Sequence, residues 1–275
     1  MVLRDTAADP EVFMVRRHEG TAFMGGAYVF PGGRVEERDR DVDARWCAGI
    51  PETASRLAGL SPAEAAAYHV AAARELFEEA GVLVACDRHG DFVSLASAAA
   101  HQRFTKYRPA VQSGAERFGR VLEREGLRLA LDALVPFAHW VTPPVDTRRF
   151  DTRFFMTRVP PNQTPAHDET ETTESAWLTA ADALDRCRRG DIVLPPPTWT
   201  TLREIETFAS VEAALAWART RRIQRREPKF VEDEGIKMLL LPGDPLNPEP
   251  SVEPAPHETR FILTNGRWRA EAVRT

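Results

Sequence analysis

Cysteine is scarce in this chain, with three in 275 residues, at positions 47, 86 and 187. The number is odd and no C-x-x-C spacing occurs. Neither a disulfide framework nor a zinc site fits, and the thiols read as reduced cytosolic ones. Long apolar runs are missing as well: nowhere do roughly 18 apolar residues follow one another, which excludes an ordinary membrane-spanning helix. The first ten residues include Arg4, Asp5 and Asp9 and lack an apolar signal core. The last four, Ala272 to Thr275, lack an S-K-L type peroxisomal address, so cytoplasm is the default expectation. Positive charge is not in surplus either. A net charge of −5 argues against general affinity for nucleic acid, which relies on clustered Lys and Arg. What remains is an ordinary globular composition, 43% hydrophobic and 28% charged, on a chain long enough to bury a sizeable core.

Against this background, Arg74-Glu75-Leu76-Phe77-Glu78-Glu79-Ala80-Gly81-Val82 stands out. Glu75, Glu78 and Glu79 lie at i, i+3 and i+4, so a helix gathers three carboxylates on one face. Like charges this close repel, and Arg74 supplies only one adjacent counter-charge. Oxygen-rich clusters of this kind suit Mg²⁺, a hard cation that works with one or two carboxylates, waters and substrate phosphates. For an arbitrary helix the competing reading is a solvated acidic patch.

The neighbouring residues decide between them. Upstream stands Phe30-Pro31-Gly32-Gly33-Arg34-Val35-Glu36, a strand end running into a double glycine. Together the two segments resemble the Nudix box, G-x5-E-x7-R-E-U-x-E-E-x-G-U, with U aliphatic. Five fixed identities at ordinary residue frequencies match by chance about once per million windows. There are two departures. Asp39 stands where the pattern has Glu, and residues 40–73 separate it from Arg74 where the common form has seven residues. Such a long insert resembles the branch of the family that includes peroxisomal-type coenzyme A diphosphatases. Trp140-Val141-Thr142-Pro143, the run from Arg148 to Phe155, and Leu194-Pro195-Pro196-Pro197-Thr198 resemble that branch too.

The resemblance implies an α/β/α sandwich around a mixed sheet. Local patterns agree: strands are expected at Val12–Arg17, Ala27–Phe30, Val82–Cys86, Leu134–Val141, Asp151–Val159 and Ser175–Leu178. Helices are expected from about Pro62 into the box, within Ala115–Leu134 with Gly126 interrupting, at Ala180–Arg188, and over Thr198–Arg219 with a break near Ser210. Residues 1–235 are expected to form the Nudix domain, with 40–73 as a helical insert. In 236–275 a proline-rich loop precedes Asn265-Gly266, the strongest hairpin signal in the chain. A lone hairpin is marginal, so this β-element must dock on the main domain or serve a homodimer.

The resemblance also assigns roles. Glu78 and Glu79 are the principal Mg²⁺ or Mn²⁺ ligands, Glu75 a third ligand or the general base, and Arg74 either orients Glu75 or pairs with Glu78 at i, i+4. The Gly32 carbonyl is a further ligand, and Glu174, with Glu171 behind it, the extra carboxylate from outside the helix. The implied partner is a small-molecule nucleoside diphosphate derivative, with coenzyme A or acyl-coenzyme A ahead of ADP-ribose or a nucleotide sugar. A nucleotide sensor without turnover is the reading from another class. For a 3′-phosphate, Arg103, Lys106 and Arg108 form one candidate cluster and Arg148-Arg149 another. His139 and Trp140 fit a core role better than a substrate wall.

Overall fold

A computed structural model describes residues 1–21, 24–47, 52–145, 149–168, 172–251 and 258–272. The main sheet contains β1 (Val2–Arg4), β2 (Glu11–Arg17), β3 (Tyr28–Val29), β6 (Val135–Val141), β7 (Asp151–Arg158), β8 (Thr172–Thr179) and β9 (Arg225–Arg226). It is mixed: β1 pairs parallel with β7, and β6 with β9, while the other pairings are antiparallel. β2 is its hub. Val12 is in register with both Leu3 and Leu178, and Arg16 with both Tyr28 and Glu174. β8 therefore lies along one side of β2, and β1 and β3 share the other.

Alternation along β2 builds the two sides of the molecule. Phe13 and Val15 enter one core cluster and Val12 and Met14 the other. The first cluster is roofed by α1 (Pro62–Ala80), α2 (Ala98–Gln112) and α3 (Phe118–Glu125). The second is roofed by α4 (Ala180–Arg189), α5 (Pro196–Ile205) and α6 (Val211–Thr220). The expected α/β/α sandwich is thus present.

Helix α1 has clear ends. Ser61 accepts from the Glu64 amide, the Glu64 carboxylate accepts from the Ser61 amide, and Pro62 opens the first turn. Gly81 closes it at φ +65°, a left-handed cap that glycine adopts without a Cβ penalty. The insert therefore ends as the first turns of the same helix that carries the box. Earlier in the insert, Trp46 and Cys47 are buried, and Cys47 bridges to Leu129 of β5 (Arg128–Leu129), which pairs with β4 (Ala85–Cys86).

Four strands form a separate antiparallel sheet: β10 (Lys229–Asp233), β11 (Ile236–Leu240), β12 (Arg260–Thr264) and β13 (Arg267–Glu271). Asn265 and Gly266 turn the last pair at φ +50° and +74°. Leu239, Phe261, Trp268 and Ala270 pack into the second core cluster, so the hairpin is covered by its own sheet and by the main domain. In the proline-rich loop, buried Asp244 accepts from Thr259 and Arg260 and ties the loop to β12.

Candidate active site

The site is organised around Arg74, a guanidinium only 1% exposed. Its Nε and one terminal nitrogen donate to the two oxygens of Asp39, at 2.8 and 2.9 Å. The other terminal nitrogen donates to Glu75 at 2.9 Å and to Glu78 at 3.0 Å, and a last bond reaches the Arg34 carbonyl at 2.8 Å. The residue that departs from the family pattern, Asp39, thus takes Arg74 in a two-pronged grip across 35 positions of sequence. Asp39 also accepts from the Glu36 amide at 2.8 Å, which closes a short 3₁₀ turn at Glu37–Arg40. The insert separates the halves of the box in sequence and leaves them joined in space.

The double glycine brings the loop against the helix. A Cβ on Gly33 would fall 2.5 Å from the Glu75 carboxylate, so any larger residue there would push that carboxylate from its place beside Arg74. The Gly32 amide donates to Glu79 at 2.9 Å; it is through its N–H that Gly32 meets the helix. Arg38 lies at the edge, 3.5 Å from Glu78 Oε1 and 2.5 Å from Glu36.

Charge here is unbalanced. Burial alone opposes the charge on Arg74, but Asp39, Glu75 and Glu78 outweigh it and raise its pKa above the ordinary value. Glu78 is affected the opposite way: burial raises its pKa despite the lowering pull of Arg74. Glu78 Oε1 is buried and accepts no hydrogen bond among the described residues. A buried anionic oxygen without a donor is costly, and a cation relieves it. Glu75, Glu78 and Glu79 beside the loop backbone are all oxygen donors, which is the chemistry a hard divalent ion takes. The carboxylates point to Arg74 and Gly32, and no three acidic, histidine or cysteine groups among the described residues converge as a ready cage. The donor set fits a divalent ion whose remaining positions are filled by water and substrate.

Of the other residues singled out in the sequence, Arg108 alone among those described bonds the box helix. Glu174, on β8 opposite Arg16, has the parity of Ala176 and Leu178, which pack in the second core cluster. It meets Arg16 at 3.8 Å and the Tyr28 hydroxyl, whose pKa is pushed up to about 12 by burial and by Glu174. The structure therefore places Glu174 on the sheet face away from α1. Glu171 lies outside the described residues. Arg103 pairs with Glu125, Lys106 is exposed, and Arg108 donates to the carbonyls of Glu78 and Ala166, clamping the end of the box helix. Arg149 pairs with Glu227, and Arg148 lies outside the described residues. His139 and Trp140 are buried on β6; the His139 pKa falls to about 4 through burial and the nearby Arg153.

The sequence profile of the NUDT19 Nudix domain matches residues 52–205. This chain belongs to the Nudix hydrolase family. Among curated proteins, the acyl-coenzyme A diphosphatase NUDT19 of Xenopus laevis is 25% identical over 280 residues, covering 90% of this chain and 73% of that protein. The human acyl-coenzyme A diphosphatase NUDT19 is 28% identical over 280 residues, covering 87% and 73%. Among solved structures, a NUDIX hydrolase from Alicyclobacillus acidocaldarius superposes with a TM-score of 0.66 at 28% identity, covering 78% of this chain and 92% of that one. Nudix hydrolases generally use divalent metal ions, and the oxygen donors of α1 are of the kind such an ion takes.

As a Nudix hydrolase, the chain adds one feature that sequence reading passes over. Asp168 accepts from Gln112 at 2.7 Å and from the Thr172 hydroxyl at 2.7 Å, and Arg108 lies in the field of both Asp168 and Glu79. Between the described carboxylates Asp168 and Glu174, it is thus Asp168 that lies in the field of Arg108, the residue that bonds the Glu78 carbonyl. Thr172 was its available signal, because a side chain of that type four residues on can lock an Asp turn.

Proposed function

We propose that the chain hydrolyses the diphosphate bond of coenzyme A or acyl-coenzyme A in the presence of Mg²⁺ or Mn²⁺, giving a phosphopantetheine species and adenosine 3′,5′-bisphosphate. Water adds to one phosphorus, the bridging P–O bond breaks, and the other phosphate leaves. The observation that carries the reading is buried Glu78 Oε1, an anionic oxygen with no donor, beside Glu75 and Glu79 on one turn of α1. Relatives that carry the acyl-coenzyme A diphosphatase name match over most of both chains and supply the substrate class.

Glu78 and Glu79 would hold the divalent ion, with Glu75 as third ligand or as the base that takes the proton of the attacking water. Once bound, the ion would offset charge on the phosphate oxygens and acidify that water. Arg74 fixes Glu75 and Glu78 in position before substrate arrives, and Asp39 fixes Arg74. Such preorganisation keeps the carboxylates from spreading apart under mutual repulsion. Gly32 and Gly33 bring backbone against Glu79 and Glu75, where it would border the reacting phosphates.

The test is a substrate panel: coenzyme A, an acyl-coenzyme A, ADP-ribose and a nucleotide sugar, each with Mg²⁺ and with Mn²⁺, the products separated by ion-pair chromatography. Release of adenosine 3′,5′-bisphosphate from the coenzyme A compounds is expected. Selective cleavage of ADP-ribose would remove coenzyme A as the substrate. Binding without any product would favour a sensor.

A further inference from the structure

A cavity of about 380 Å³ opens on the far side of Arg74 and Asp39. Its walls come from three places, the start of the insert, helix α1 and the beginning of helix α3. Val42, Trp46, Val70 and Phe118 give it an apolar side. Trp46 is backed directly by α3, because a Cβ on Gly119 would sit 2.6 Å from the indole ring. The rim is different in kind. Arg45, Arg117 and Arg120 stand there with side chains 56%, 68% and 62% exposed, and Arg38 closes the inner end.

Five guanidinium groups line the space against four carboxylates, and one of those carboxylates, Asp39, is locked on Arg74. Arg117 holds Asp41 and Arg120 holds Glu123, both as exposed surface pairs. Pairs of that sort contribute little and exchange readily for a better anion. A phosphate gripped by two arginines at the mouth of a walled cavity is such an anion. The aromatic side suits a flat ring. The size falls within the range of small-molecule sites. Arg38 ties the cavity to the reaction centre, since it lines the space while standing 3.5 Å from Glu78.

We propose that this cavity receives the 3′-phosphorylated adenosine end of the substrate, the phosphate on Arg117 and Arg120 and the ring against Trp46 and Phe118. The inference rests on the coenzyme A reading above and gives the insert its purpose: it builds the wall that selects a phosphorylated nucleoside. It adds a third candidate cluster for this phosphate to Arg103, Lys106 and Arg108 and to Arg148-Arg149; of these, Arg108 is engaged with the carbonyls of Glu78 and Ala166.

Dephospho-coenzyme A, which lacks only the 3′-phosphate, is the discriminating probe. In the wild-type enzyme KM for dephospho-coenzyme A should exceed that for coenzyme A by about tenfold, the worth of one good charge-assisted contact. In the double variant Arg117→Ala/Arg120→Ala that ratio should fall toward one. Calorimetric titration with adenosine 3′,5′-bisphosphate reads the same subsite without turnover, and the double variant should bind it about tenfold more weakly. An unchanged KM ratio with unchanged binding of the bisphosphate would overturn the subsite while leaving coenzyme A hydrolysis intact. A changed preference for acyl chains alone would assign the cavity to the other end of the substrate and overturn it too. If the wild-type enzyme cleaves neither coenzyme A compound, the substrate reading fails, and the titration still decides the cavity.

Discussion

Two buried charge clusters in this molecule are near mirror images, and the contrast separates a working site from a structural one. At the box helix, one guanidinium, Arg74, faces Asp39, Glu75 and Glu78. Across the sheet, one carboxylate, Glu204 on α5, sits between Arg221 at 3.0 Å and Arg226 at 2.5 Å. Each cluster has more charge of one sign than the other. The second spreads its surplus over aromatic faces: Arg221 lies 4.0 Å over the Trp217 ring and Arg226 lies 5.6 Å over that of Trp140, while Arg226 Nη1 finds no hydrogen-bond partner among the described residues. The first leaves Glu78 Oε1 buried without a hydrogen bond, with the Arg38 guanidinium 3.5 Å away as a looser ion pair. A surplus of cation laid over aromatic rings is scaffolding. One that the fold leaves open invites a ligand of opposite sign.

Neutralising one carboxylate in each cluster should therefore have opposite consequences. Glu78→Gln should lower turnover by about 100-fold or more, the scale on which metal-site residues act. Its melting temperature should hold or rise, because burial already penalises the Glu78 charge and raises its pKa. A fall in stability with retained turnover would erase the distinction between the clusters. Glu204→Gln should do the reverse. It leaves two buried guanidiniums without their shared partner, costing about 3 kcal/mol and roughly 10 °C in Tm, while kcat changes little.

The same comparison carries a pH signature. Burial raises the Glu204 pKa, but Arg226 and Arg221 outweigh it and hold the group below the usual carboxylate range. With the folded pKa depressed, this contribution is present above the unfolded value near ~4.3 and is lost as pH falls through the folded one. Tm of the wild type should thus drop more steeply below roughly pH 4 than Tm of Glu204→Gln, by thermal unfolding across an acid series. Parallel curves would mean that Glu204 is not held ionised by its arginines.

How far the sequence reveals each region follows from what fixes it. The box helix is legible because spacing, Ser61, Pro62 and Gly81 are all local signals, and α1 runs from Pro62 to Ala80. The short apolar runs within β2, β6 and β7 are legible for the same reason. Helix α2 is not, because its pattern is weakly amphipathic and Pro109 lies inside its last turn. Strand β1, three residues long, carries too little periodicity to read. At the site, one helical turn gathers Glu75, Glu78 and Glu79, whereas the Asp39–Arg74 contact spans the insert and needs the tertiary fold. Glu174 illustrates the remaining gap. Alternation gives its parity with Leu178, but only the packed sheet tells which face α1 covers. The Glu204 cluster is invisible in sequence, since its arginines arrive from beyond α6 and from the edge strand β9.

The most direct measurement is a calorimetric titration of Mn²⁺ into the wild-type protein and into Glu78→Gln, at neutral pH and without substrate. Binding should be evident in the wild type and weaker by at least about tenfold in the variant. Equal binding by the two proteins would place the ion elsewhere and contradict the role of the open charge on α1.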